Sequence, residues 1–207
     1  MEHIYALFSK GGIIMYPLLL ASIVALAVVI ERAIFLRKKR IINPLLVDRI
    51  KSIKHSDDAQ ELLRDMENKS GPFINIIRAG LEYRQDSIEE VQQSIEDQGR
   101  QETRILEKGL VILETVAGIA PLLGLLGTVL GMIKVFQVIS EQGLGQTQAL
   151  SGGISEALVT TVVGLAIAIP ALVGYHYFDH KVEDLVLEIE KYSTLFIKKL
   201  QQTRNKQ

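Results

Sequence analysis

The chain has 207 residues, 23% of them charged, with a formal net charge of −1, so no global basic field marks it for nucleic acid. It contains no Cys, which excludes disulfides, thiolate metal sites and cysteine nucleophiles. A mean hydropathy of +0.23 conceals an uneven distribution: three stretches hold almost all the long apolar surface, and the segments between them hold almost all the Lys and Arg.

In chain order, a short N-terminal segment (1–12) leads into an uncharged run, Gly11 to Ile30. That run is long enough to cross a hydrocarbon core of about 30 Å. The leading residues hold no basic cluster and no small-x-small site follows. Glu31-Arg32 and Arg37-Lys38-Lys39-Arg40 then stop the run. It reads as a membrane anchor rather than a cleaved leader, with 13–36 as transmembrane helix 1.

Residues 37–110 read as amphipathic helices. Asn43-Pro44 offers an N-cap with Pro at the first helical position, and Gly71-Pro72 repeats that arrangement more weakly. Ser87-Ile88-Glu89-Glu90 has the pattern of a capping box. Only single glycines, Gly99 and Gly109, follow before the membrane, so one long helix is expected from about 88 to about 140. Its membrane part, helix 2, is placed at 111–139, with no charge from Thr115 to Ile133. A turn is expected at 140–155 and transmembrane helix 3 at 156–178, where Ala157 to Phe178 carry no charge. Helix 3 is expected to continue into a C-terminal helix, 179–207, whose stripe of Leu185, Ile189, Tyr192, Phe196 and Leu200 recurs at helical spacing. A soluble core fits poorly, because three such apolar runs leave too little protein to cover them.

Orientation follows from the basic residues flanking the spans. Residues 37–110 carry fourteen Lys and Arg, the tail from 179 carries six, 135–155 carries none, and the first dozen residues carry only Lys10. The N-terminus and the 140–155 turn therefore face away from the cytoplasm, and the middle segment and tail face in. The sequence predicts an all-α integral membrane protein with three transmembrane helices and long helices extending into the cytoplasm.

Enzyme chemistry finds no foothold. There is no Gly-rich phosphate loop, no H-E-x-x-H, no G-x-S-x-G and no triad, and no cofactor is implied. Of four His, only His176 and His180 have ligand spacing, and no third ligand accompanies them, so no metal site is expected.

The informative pattern lies within the membrane. Ala117, Pro121, Gly124, Thr128 and Gly131 form one small-residue face on span two, with Gly127 and Gly131 adding a GxxxG pair. Ala157, Thr161, Gly164, Ala168 and Ala171 form another on span three. Small faces let membrane helices approach closely, because lipid supplies no hydrophobic drive for association. Pattern alone leaves two readings open: a tight antiparallel hairpin, or walls of a narrow wet passage with Thr128 and Thr161 as hydrogen-bonding groups. Glu156, at the non-cytoplasmic edge of span three, favours the second, because a carboxylate there is costly unless it faces water or the bundle interior. On an ideal helix Thr160 lies nearer to the Glu156 face than Thr161 does, so either hydroxyl can face the passage. No ionisable residue lies near the middle of any span. A proton path would need a partner to supply one.

The string Ala120-Pro-Leu-Leu-Gly-Leu-Leu-Gly-Thr128-Val resembles the MotA/TolQ/ExbB proton-channel family. So do Ile154-Ser-Glu156-Ala-Leu-Val-Thr-Thr161-Val-Val-Gly164-Leu and Ala168-Ile-Pro170-Ala. The first span, with Pro17, Ser22 and Glu31-Arg32, is similar too, and the likeness covers essentially the whole chain. The three-span plan is similar to the ExbB and TolQ branch rather than to MotA, which has four spans. The resemblance implies a homopentamer around a central pore in a bacterial inner membrane, with 1–12 and 140–155 periplasmic. It further implies enclosed helices of an ExbD- or TolR-like single-span protein supplying a membrane Asp, and a TonB- or TolA-like protein beyond. It places the family's pore threonines on Thr128 and Thr161 and its span-three glutamate on Glu156. Thr160 stands where the family often has a small residue.

Overall fold

A computed structural model describes residues 11–53, 55–66, 69–142 and 147–204, and every regular element among them is a helix. The helices are α1 (Met15–Phe35), α2 (Lys38–Ile41), α3 (Pro44–Ser52) and α4 (Ser56–Met66). They continue with α5 (Pro72–Glu82), α6 (Ile88–Glu107), α7 (Leu110–Gln142) and α8 (Thr147–Arg204). Expectations for residues 1–10, for 143–146 of the 140–155 turn, and for 205–207 lie outside the described residues. The chain divides into two compact units, one of 1–31 with 109–177 and the other of 32–108 with 178–207.

Among the described residues, three helices are long and apolar enough to cross a membrane. Their mean hydropathies are 2.4 for Met15–Phe35, 2.1 within Leu110–Glu141 and 2.3 within Leu150–Arg204. Leu20 and Leu26 on α1, Leu122 and Leu125 on α7, and Leu158 and Val162 on α8 are all exposed. Water would penalise so continuous an apolar surface, and lipid does not. Many of the side chains turned inward are small: Ala25, Ala120, Ala157, Ala168 and Ala171 are buried, alongside larger ones such as Leu18, Leu113 and Val116. Pro121 and Pro170 sit inside α7 and α8.

The second unit follows ordinary soluble rules. Asn43 caps α3 by accepting from the Leu45 amide at 3.0 Å, with Pro44 in the first turn. Gly71 precedes Pro72 but offers no side-chain cap, so α5 has only the proline half of the arrangement. At α6 the capping box is complete: the Glu90 amide donates to Ser87 Oγ at 3.2 Å, and the Ser87 amide donates to Glu90 Oε2 at 2.9 Å. Phe73, Ile77 and Leu81 of α5, Val91 of α6 and Phe196 of α8 are completely buried. A Cβ on Gly80 would lie 2.6 Å from Ile95 and 3.0 Å from Phe196, so α5 admits both neighbours only through that glycine. Leu185, Ile189, Phe196 and Leu200 are buried as the stripe predicts, and Tyr192 is half-buried with its ring 6.1 Å from Phe73.

One expectation fails. The helix expected from 88 to 140 is two helices, with α6 ending at Glu107 and α7 beginning at Leu110. Gly109 has φ of 89°, a left-handed conformation that glycine adopts without steric cost, and its carbonyl accepts from Ile112 to open α7. Span three, by contrast, does run unbroken into the C-terminal helix as α8.

Candidate functional site: the seam between α7 and α8

The apolar hairpin of α7 and α8 closes on backbone rather than on side chains. A Cβ at Gly124 would lie 3.0 Å from both the Thr160 carbonyl oxygen and the Thr161 Cα. One at Gly131 would lie 2.9 Å from the Gly153 carbonyl oxygen and 3.0 Å from Ala157 Cβ, and one at Gly164 would lie 2.6 Å from the Ala120 carbonyl oxygen. A Cβ at Gly127 would overlap the Thr160 side chain. Contacts this close supply the packing that membrane helices need to associate.

The buried line on α7 is Val116, Ala120, Gly124, Gly127, Gly131 and Val135. Gly124 and Gly131 belong to the expected strip, but Ala117, Pro121 and Thr128 lie beside the seam, half-buried. The physical reason is size: Ala120 and Gly127 let the backbones approach, whereas Pro121 and Thr128 in those places would hold them apart. On α8 the buried line is Ala157, Thr160, Gly164, Ala168 and Ala171. It is the expected strip with Thr160 in the place of Thr161.

The three threonines consequently differ. Thr160 is fully buried, and its hydroxyl donates within its own helix, to the carbonyls of Ala157 at 2.8 Å and Glu156 at 3.2 Å. Thr161 is half-buried and donates across the seam to the Gly124 carbonyl at 3.2 Å. Thr128 is one turn further along α7 from that carbonyl, half-buried, and donates to Leu125 at 2.6 Å. Thr128 and Thr161 thus flank the packed seam, and Thr160 lies inside it.

Glu156 has a partner that the reading of the sequence did not assign. Lys134 Nζ lies 2.6 Å from its Oε1 and 2.9 Å from its Oε2. Lys134 appeared in the sequence only as the border of span two. The signal was available: a cation ends one uncharged span, and an anion begins the next on the same side of the membrane.

Elsewhere, a cavity of about 720 Å³ in the second unit is lined by residues that include Ile95, Glu102, Thr103, Ile189 and Ser193. Its groups form no nucleophile–base pair. Glu102 accepts from Asn75 and Gln98, Thr103 donates to the Gly99 carbonyl, and the buried Ser193 hydroxyl has no partner among the described residues. Nor do the described residues contain a cluster of three potential metal ligands. His180 instead pairs with Glu183 at 3.1 Å, and the His176 ring meets Tyr175 edge-on.

Comparison with known proteins agrees with this architecture. The profile of the MotA/TolQ/ExbB proton channel family matches residues 68–191. The biopolymer transport protein ExbB-like 3 of Synechocystis sp. is 34% identical over 178 residues, covering 81% of each chain. An ExbB homolog of Methanothermobacter thermautotrophicus is 30% identical over 185 residues, covering 89% of this chain and 66% of its own. The biopolymer transport protein ExbB of Neisseria meningitidis is 28% identical over 187 residues, covering 84% of each chain. Three apolar helices, a glycine-closed hairpin and these likenesses define a membrane transport or channel subunit, not an enzyme. The chain belongs to the MotA/TolQ/ExbB proton channel family.

Proposed function

We propose that the protein is the proton-channel and stator subunit of a bacterial inner-membrane motor, with its N-terminus periplasmic and its C-terminus cytoplasmic. It assembles as a homopentamer around helices of an ExbD- or TolR-like single-span protein. A TonB- or TolA-like protein carries the resulting work across the periplasm, for TonB-dependent uptake or Tol-Pal envelope maintenance. One observation carries the reading: the stretches Thr115–Ile133 and Ala157–Phe178 contain no Asp, Glu, Lys or Arg and no ionisable side chain near their middles, while Thr128 and Thr161 stay half-exposed beside the seam. Such walls suit a carboxylate brought by the partner. The hydroxyls relay hydrogen bonds to it, and the small residues leave its helix room to move. A proton crossing about 100 mV releases about 2.3 kcal/mol, and any pH gradient adds to that.

The test is proton uptake by proteoliposomes holding the chain with its single-span partner. Thr128→Val and Thr161→Val are each expected to preserve assembly and to cut uptake by roughly tenfold or more. Full uptake in both variants defeats the pathway assignment. Burial of Thr160 against Gly127 is what a passive scaffold would also need. On that second reading, uptake with the partner present is no greater than without it.

A further inference from the structure

Glu156 sits where three segments of the first unit converge. Lys134, at the end of the uncharged stretch of α7, reaches both of its carboxylate oxygens. Gly12, on the approach to α1, has φ of 64°, and a Cβ built there would run into the same carboxylate. The Glu156 side chain is 19% exposed and that of Lys134 is 56% exposed. The lysine stem therefore comes from the open side and pins a carboxylate held in a recess. Exposed ion pairs contribute little to stability, so the effect of this one is chiefly geometric. A glutamate left to itself samples many rotamers. Two hydrogen bonds from Lys134 and the Gly12 backbone beside it restrict that choice.

We infer that Lys134 is a positioning residue for Glu156. With Gly12 as the wall, its ammonium holds the carboxylate at the mouth of the α7–α8 seam, so that protons exchange through one fixed group. This rests on the reading of Glu156 as part of the proton path. The ion pair joins two spans across 22 residues, and Gly12 brings the start of the first span to the same point.

The test uses the full chain with its single-span partner in proteoliposomes, scored for proton uptake, with the mass and melting midpoint of the purified complex measured alongside. Lys134→Met is expected to keep the mass and lower uptake by roughly tenfold, while Lys134→Arg stays within about twofold because a guanidinium can remake both hydrogen bonds. If Lys134→Met does not assemble, Lys134→Gln takes its place, with the same loss expected. Exchanging the pair, Lys134→Glu with Glu156→Lys, should keep the melting midpoint close to that of the wild type but leave uptake low, because the carboxylate then hangs from α7. Uptake restored by the exchange, or normal in Lys134→Met, overturns the inference. Glu156→Gln separates the two claims. Full uptake there overturns the pathway role of Glu156 itself, whereas lost uptake there with normal uptake in Lys134→Met overturns only the positioning role.

Discussion

Thr160 fills the notch that Gly127 leaves on the facing helix. Its side chain is completely buried, and the space a Cβ on Gly127 would need is occupied by the Thr160 Cβ and hydroxyl. The hydroxyl costs little there because it bonds to carbonyls of its own helix. The seam is thus closed by a matched pair, one residue with no side chain and one with a compact, internally satisfied one.

Gly127→Ala should force the helices apart and destabilise the detergent-solubilised protein by about 1–3 kcal/mol, the usual range for overpacking. Adding Thr160→Ala removes the Thr160 hydroxyl and methyl, two of the three atoms that the new Cβ would meet, and leaves only its Cβ. The two substitutions should therefore couple favourably by about 0.5–3 kcal/mol in a double-mutant cycle read from melting midpoints. Strict additivity would show that the two side chains do not compete for one space.

What the sequence made legible was local. Asn43 and Ser87-Glu90 announce their caps because a cap needs only neighbours within three residues, and the apolar runs announce spans because length and charge suffice. The seam was legible only to within one residue of rotation. Gly124, Gly131, Ala157 and Gly164 were readable as small, but whether Ala120 or Pro121 faces span three depends on the opposing backbone. The Lys134–Glu156 pair spans 22 residues and exists only once the hairpin has formed. Gly109 was visible as a glycine, and its left-handed φ was not.

At Gly109 the sign of a substitution distinguishes a helix break from a helix interior. In a continuous helix, Gly→Ala would stabilise by about 1 kcal/mol. With φ at 89°, an alanine there pays a left-handed penalty of about 1–2 kcal/mol. Gly109→Ala is therefore expected to lower the melting midpoint.

Acid should loosen the start of α6. The Ser87 amide and hydroxyl donate to the Glu90 carboxylate and hold its pKa below the ordinary value. A depressed carboxylate contributes stability above its unfolded pKa and loses it as pH falls through the folded one. The advantage of the wild type over Glu90→Gln should therefore be constant near neutrality and vanish below the ordinary glutamate range. Amide chemical shifts across residues 87–91 report it. Ser87→Ala, which removes the serine's side-chain cap of α6, should cost on the order of 1 kcal/mol.

The Glu102 carboxylate is another polar group committed to the interior. It is 3% exposed, and its Oε1 accepts from Asn75 Nδ2 at 2.8 Å and from Gln98 Nε2 at 2.9 Å. Asn75 donates to it from α5 across to α6, whereas Gln98 lies one turn away on the same helix as the acceptor. Asn75→Leu removes the inter-helix donor and leaves a buried acceptor short of a partner, at a cost of about 1–3 kcal/mol. Replacing both groups, as Asn75→Leu with Glu102→Leu, takes the desolvation penalty away with the hydrogen bond. The double variant is therefore expected to melt above Asn75→Leu alone. If it melts lower, the carboxylate contributes through some contact other than this one, and the packing of α5 on α6 does not depend on the pair.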